Sequence, residues 1–506
     1  MTNRKGRGFS QCVSEDDASL KESIMRYDLI VLGHDRHGRF AALEAVQRDK
    51  HVALIECRND ETPPTQSLRD AALLMTETRQ HEHSPQRFVL DRQGTMQQLW
   101  QFSNAAAQQE TSSVETRLNQ EGADFIDGRP RFVGPNEVEV STHSNGVQRL
   151  TGDKIVLAVG TKPIRPSWVP FDGQTILDSD ELLALPRLPK SMIVVGADLA
   201  ALESAMFFAV LGTRVVFVDS QRRLLAAWDR ELIHHFRRQA DRCGVRFRLG
   251  RSVLDIEKTF DDRAAVRLEG GQSMLAECVL YAAGRRGNTS SLNLSAAGLV
   301  PDEQGRLWCN EQGQTWIKHI YGIGDVVGFP VLARASMNQS RRVIEHLFGE
   351  RSNATSPISH GLLTMPELAS VGATEEQLSH DLVAYEVGVA RFADTSLGQF
   401  SGSPSAMLKL LFHRESLELL GVHCLSESAS ELIRLGETVM SLGGTVESFL
   451  DKNFEDLPLT KCYRQAAENG FARLADESLA TPRASKFQSR RRKTSAKRRR
   501  LALSPR

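Results

Sequence analysis

Tyr27-Asp28-Leu29-Ile30-Val31-Leu32-Gly33-His34-Asp35-Arg36-His37-Gly38 and Ser191-Met192-Ile193-Val194-Val195-Gly196-Ala197-Asp198-Leu199-Ala200-Ala201 are two versions of one pattern. Each is a short apolar run that ends in glycine and passes into apolar residues at helical spacing, Phe40, Ala41, Leu43 and Val46 in the first and Leu199 to Leu211 in the second. A second apolar run follows each helix, Val52 to Ile55 before Glu56 and Val215 to Val218 before Asp219. Strand, turn, helix and strand in this order predict parallel strands joined by a crossover helix, the dinucleotide-binding unit of α/β proteins. Recurrence of the unit 163 residues later, Gly33 against Gly196, predicts two such units in tandem rather than one larger sheet.

A dinucleotide turn uses glycine at three places: for the tight turn, for close approach of the pyrophosphate, and where helix meets strand. The first copy keeps Gly33 and Gly38 and has Asp35 in the middle; the second keeps Gly196, has Ala201 in the third place, and again has an aspartate, Asp198, in the middle. A carboxylate about 4 Å from a phosphate, at an effective dielectric near 20, meets roughly 4 kcal/mol of repulsion. Arg36 or Arg39 is placed to relieve that in the first copy, and the second loop has no basic residue of its own. Both turns therefore also admit a plain reading as strand-to-helix connections. The acids at the ends of the second strands favour nucleotide binding. Glu56 and Asp219 each follow their glycine by 23 residues, close to the offset of about 20 at which a carboxylate accepts hydrogen bonds from a ribose diol. Asp219 favours NAD, and Arg222 and Arg223 can accommodate the extra phosphate of NADP.

Three further strings stand in order: Gly160-Thr161 after an apolar strand, Tyr281-Ala282-Ala283-Gly284-Arg285-Arg286-Gly287-Asn288, and Ile320-Tyr321-Gly322-Ile323-Gly324-Asp325. With the two glycine turns, they resemble the pyridine nucleotide-disulfide oxidoreductase superfamily. From Asp178 to Leu474 the text looks most like the soluble pyridine nucleotide transhydrogenases, especially Leu408 to Glu415 and Leu420 to Cys424. The resemblance implies an α/β fold of two Rossmann-like domains, for FAD and NAD(P), with a C-terminal α+β dimerisation domain. Residues 24–165 and 290–350 would form the FAD domain, 166–289 the NAD(P) domain and 357–475 the dimerisation domain, between a disordered leader (1–23) and a basic disordered tail (476–506). It places Gly33, Gly38, Glu56, Gly160, Gly284 and Gly324 in cofactor binding, gives Asp325 a contact to the flavin ribityl chain, and puts Gly196 and Asp219 at the nicotinamide cofactor. Glu203 matches a glutamate set near nicotinamide and flavin, and would be the catalytic residue; on its own, a mid-helix glutamate reads as surface-facing.

The departures narrow the chemistry. The stretch from Cys57 to Leu68 is shorter than in the family, lacks its Gly-Gly and redox cysteine, and has Gln66 where a lysine stands near the flavin; Asp456 to Lys461 lacks the His-Pro of disulfide reductases. Hydride exchange between NADPH and NAD through flavin needs no cysteine pair, so the resemblance implies an FAD-dependent NAD(P) oxidoreductase of transhydrogenase type. A catalytically silent relative acting as a binding or scaffolding module stays open beside it. The seven cysteines are scattered without a C-x-x-C, which fits a reduced, cytoplasmic chain. No metal-ligand spacing, secretion signal or membrane-length apolar run stands in the sequence. The partners expected are nicotinamide dinucleotides and a second copy of the chain.

The 506 residues suit about three domains at roughly 150 each. Lysine plus arginine equal aspartate plus glutamate at 63 each, yet 483–506 hold eleven basic residues and no acid. That tail reads as a solvated extension with weak, salt-sensitive contact to polyanions. Deletion of the residues after Asp476 is expected to leave folding unchanged and to abolish low-salt retention on a phosphate resin; a truncated protein that loses its fold would make the tail part of the domain.

Overall fold

A computed structural model describes residues 25–33, 36–56, 69–73, 91–142, 146–197, 199–329, 337–349, 359–394, 406–450 and 459–476. The loops at Asp35, Asp198, Cys57 to Leu68 and Asp456 to Pro458, together with the leader and the tail beyond Asp476, lie outside the described residues.

In the first unit the strand Met25–Leu32 lies between Val52–Glu56 and Val147–Leu157, with Asp124–Phe132 and Ile320–Gly322 outside them, all five parallel. Leu29 to Leu32 have no exposed surface, which explains an unbroken apolar run in place of alternation: both sheet faces are covered. Helices Arg36–Val46 and Met337–Leu347 cover one face with the end of the long helix Arg92–Gln120; Phe132, Leu294 and Leu307 belong to the core of the other. The outer halves of Asp124–Phe132 and Val147–Leu157 bend away and pair antiparallel with Glu137–Thr142.

The second unit repeats the plan. Its five parallel strands run in the order Val245–Leu249, Arg214–Asp219, Ser191–Val195, Cys278–Tyr281, Ile176–Leu177. Helices Leu199–Val210 and Arg230–Arg242 pack on one face, while the antiparallel strands Val253–Lys258, Ala264–Leu268 and Ser273–Ala276 pack on the other. The unit is an insertion: the chain leaves the first sheet through Thr161–Pro163 and returns through Arg285–Gly287, and these two segments pair antiparallel.

A five-stranded antiparallel sheet follows, in the order His360–Leu362, Glu367–Gly372, Leu419–Ser426, Met407–His413, Tyr385–Arg391, backed by helices Ala429–Ser441 and Lys461–Ala475. Strands Met407–His413 and Leu419–Ser426 pair directly, and helix Ala429–Ser441 buries Leu432 and Ile433, as an α+β domain requires. Leu362, Met365, Leu368, Met407 and Leu425 share one core with Leu202, Phe207 and Ala72, so this sheet is fused to both earlier units.

Lys409 sits at that junction with no exposed surface. Its Nζ donates to Asp229 Oδ1 and Oδ2 at 3.1 and 3.0 Å, pairs with Glu231 Oε2 at 3.1 Å, and also donates to Glu375. Asp229 in turn caps helix Arg230–Arg242, accepting from Glu231 N and Leu232 N at 3.1 and 3.2 Å. Burial opposes the lysine charge, but the surrounding carboxylates outweigh it and hold the ammonium above its ordinary range. Beside it, buried His423 is pushed toward the neutral form by desolvation; its Nδ1 meets Ser370 Oγ at 2.6 Å and its Nε2 faces Ala373 O at 3.0 Å.

Lys409→Met is expected to cost about 3–5 kcal/mol, since removing one partner of a buried pair strands the other charge, and to lower the thermal unfolding midpoint accordingly. The Asp229 carboxyl is buried, which alone would raise it, yet His423, which carries charge only once acid protonates it, and the Lys409 ammonium hold it below the usual carboxylate value. Its stabilisation is therefore complete above pH about 4 and is lost as the pH falls through the depressed value. Denaturant titrations across acid pH should show that loss in the natural protein and a flatter profile in Asp229→Asn.

Candidate functional site

Register brings the first group of residues to one edge. Leu32 pairs with both Ile55 and Leu157, and Leu157 with Gly322. Gly33, Glu56, the run to Gly160, and Gly324-Asp325 therefore all leave the carboxyl ends of adjacent parallel strands, where ligands of open α/β sheets bind.

Gly33 has φ +133°, and a Cβ there would lie 1.9 Å from Ala158 O, so the turn needs glycine for both conformation and space. Its N–H donates to Ile55 O at 3.0 Å. A Cβ on Gly38 would come within 3.0 Å of the Ala158 side chain and 3.1 Å of Gly33 O, which is the close helix–strand packing expected of the third position. Glu56 is buried at the end of its strand, and Arg39, one residue beyond Gly38, pairs with it. The sequence reading offered Arg36 or Arg39 as a partner for Asp35, which lies outside the described residues; among those described, the Arg39 guanidinium pairs with Glu56.

Gly160 has φ +60° with open space where a Cβ would stand, and its carbonyl accepts from Asn288 N at 3.1 Å. Gly284, at φ +134°, begins the return crossing, where Arg285 donates to Thr161 Oγ1 at 2.9 Å and Thr161 O at 2.8 Å. Gly324 opens a one-turn helix, its N–H donating to Gln339 Oε1 at 3.2 Å. Asp325 is exposed at the sheet edge, and its carboxylate takes no hydrogen bond or ion pair from the described residues.

The second edge is built alike. Gly196 has φ +90°; a Cβ would lie 2.3 Å from Ala282 O, and its N–H donates to Val218 O at 2.8 Å. Asp219 accepts from Ala197 N at 2.9 Å and Gln221 N at 2.7 Å, so the acid organises its own glycine turn. Arg222, Arg223 and Arg251 are exposed around it, and Arg251 N donates to Asp219 O at 2.9 Å. Arg251 was missed in the sequence, where 32 residues separate it from Asp219; only the pairing of Leu249 with Asp219 brings it there.

Glu203 departs from the surface position a mid-helix glutamate suggests. It is buried, and Oε1 accepts from Leu363 N at 2.7 Å, tying helix Leu199–Val210 to the C-terminal sheet. Arg69 reaches the same sheet, pairing with Glu367 at 2.7 Å. Two edges are thus assembled, with Glu203 at the junction of the second unit and the third.

The five cysteines among the described residues are free, and burial pushes the Cys278, Cys309 and Cys424 thiols up to about 12. No pair is poised for electron relay among them, no cluster of three metal-ligating side chains occurs among the described residues, and no described helix is long and apolar enough to cross a membrane. The tight Gly33 turn, the open space at Gly160 and the uncompensated Asp325 fit the pyrophosphate and ribityl parts of a flavin dinucleotide.

Residues 27–340 match the model of the pyridine nucleotide-disulphide oxidoreductase family, and 358–466 match its dimerisation domain. A soluble pyridine nucleotide transhydrogenase of Mycobacterium bovis is 36% identical over 454 residues, 88% of this chain and 97% of the relative. That of Colwellia psychrerythraea is 33% identical over 466 residues, 90% and 100%. The crystal structure of LpdA from Mycobacterium tuberculosis superposes with a TM-score of 0.78 at 22% identity, covering 88% of this chain and 99% of that one. The HOCl-induced flavoprotein disulfide reductase RclA of Escherichia coli gives 0.74 at 23%, covering 87% and 99%, a likeness of fold. The chain belongs to the pyridine nucleotide-disulphide oxidoreductase family and is an FAD-dependent NAD(P) oxidoreductase.

Proposed function

We propose that this protein exchanges hydride between NADPH and NAD through bound FAD, as a cytoplasmic homodimer joined by the C-terminal sheet. The observation that carries the reading is the pairing of two glycine-turn edges, one with Glu56 and Asp325 and one with Asp219, in a chain whose described cysteines form no disulfide. The relatives' names, soluble pyridine nucleotide transhydrogenase, point the same way.

Bound flavin supplies a centre that accepts a hydride from one reduced nicotinamide and yields it to an oxidised one. The protein's part is binding and orientation. Gly33 would leave room for the pyrophosphate at the first turn of helix Arg36–Val46, and Asp325 would accept from a ribityl hydroxyl. At the second edge Asp219, held by Ala197 N and Gln221 N, accepts from the ribose diol of NAD. Arg222, Arg223 and Arg251 receive the 2′-phosphate of NADP, so one edge serves both nucleotides in turn. Glu203 keeps the second unit docked through Leu363 and so sets where the nicotinamide ring lies against the first unit.

Purified protein should carry flavin absorbance, or acquire it on reconstitution, and should transfer hydride from NADPH to an NAD analogue; a colourless protein with no FAD-induced thermal shift would favour the scaffolding reading. Lipoamide and glutathione disulfide should not be reduced at the expense of NADH, and steady turnover of either would overturn the exchange chemistry. Arg222→Ala combined with Arg251→Ala is expected to raise KM for NADPH about tenfold or more, as loss of charge-assisted hydrogen bonds worth about 1.5–3 kcal/mol requires, with KM for NADH little changed. Asp219→Ala should narrow the preference from the other side.

A further inference from the structure

The acid at the end of the second strand already has a tenant. Arg39 Nε donates to Glu56 Oε1 at 2.9 Å and Nη2 to Oε2 at 3.2 Å, a two-pronged pairing, while Nη1 donates to Thr111 Oγ1 at 2.7 Å. The Glu56 side chain has no exposed surface and that of Arg39 only 11%. The guanidinium is thus anchored at three points, to two secondary-structure elements besides its own helix.

A vicinal ribose diol presents two donors to a carboxylate in much the way a guanidinium fork does. We infer that Arg39 is a specificity-determining residue that occupies Glu56 in place of the adenosine ribose of FAD, so that the dinucleotide binds only by displacing it. The inference rests on the reading of this edge as the FAD site. Its energetics follow from burial. Without nucleotide, Arg39 gives the covered Glu56 carboxylate a two-pronged ion pair, and so stabilises the empty fold. With nucleotide, the same pair must be broken before the ribose can take its place, which lowers affinity by the free energy of that pair; a contact that favours one state opposes the ligand that needs the other. Flavin mononucleotide has no adenosine ribose and makes no demand on Glu56.

The test uses full-length protein stripped of flavin, with Arg39→Met against the natural chain. The variant should unfold at lower temperature when empty, bind FAD about tenfold more tightly, a change of about 1.4 kcal/mol, and show a larger FAD-induced thermal shift, while its Kd for flavin mononucleotide stays the same. Thr111→Val, which removes one anchor and leaves the ion pair, should shift FAD affinity in the same direction by less, and serves if Arg39→Met does not fold. If the natural chain binds FAD and neither variant binds it more tightly, or if both flavins shift alike, the displacement is wrong and the site reading stands. If no form binds FAD, the site reading falls and takes the inference with it.

Discussion

A single buried ammonium sets how the second unit meets the rest of the molecule. Lys409 lies in the middle of the C-terminal sheet, yet its charge is answered by Asp229 and Glu231, which belong to the start of a helix in the second unit. Glu375 answers the lysine from its own unit, but Asp229 and Glu231 would lose their shared cation, and Lys409 two of its three carboxylates, if the units separated. The two domains are therefore bound to each other by a requirement of neutralisation, and the apolar core shared by Phe207, Leu362 and Met407 closes around it. Glu203 adds a directional contact nearby by accepting from Leu363 N.

The two glycine-turn edges are alike in backbone and different in how they restrain their acid. Gly33 and Gly196 both lie against a carbonyl of the neighbouring strand's continuation, Ala158 and Ala282, with no room for a side chain. Asp219 is steadied by backbone amides of its own loop, a restraint that leaves it half-buried at the turn. Glu56 is steadied by an arginine side chain and is wholly covered. An acid held by backbone stays available to a ligand, whereas one held by a side chain has a competitor whose strength a single substitution can change.

Much of this was legible in the sequence. The duplicated apolar run, glycine and helix could only be a repeated parallel unit, and equal offsets to Glu56 and Asp219 marked the edges. Register did the rest that periodicity cannot do: it carried Asp325 to the same sheet edge as Gly33, with one strand between them, and Arg251 beside Asp219 across long stretches of chain. The strands Asp124–Phe132 and Glu137–Thr142 escaped notice because charged residues such as Arg129, Arg131, Glu137 and Glu139 interrupt the buried apolar residues Ile126, Phe132, Val138 and Val140. Burial of Glu203 and Lys409 was equally hidden, since a charged residue within an element reads as solvated until the domain that covers it is known.

The insertion of the second unit into the first has a consequence for synthesis. Gly33, Glu56 and Gly160 emerge from the ribosome before the second unit does, while Ile320–Gly322 and Asp325 follow only after it. The first sheet consequently has to wait with an open edge beside Val147–Leu157 until an entire domain has been made. Because Thr161–Pro163 and Arg285–Gly287 pair side by side, a second unit that has folded on its own delivers the returning chain to the spot from which it left. Maturation of the first unit then costs little further loop closure, and a mutation that delays the inserted unit would leave its host unfinished.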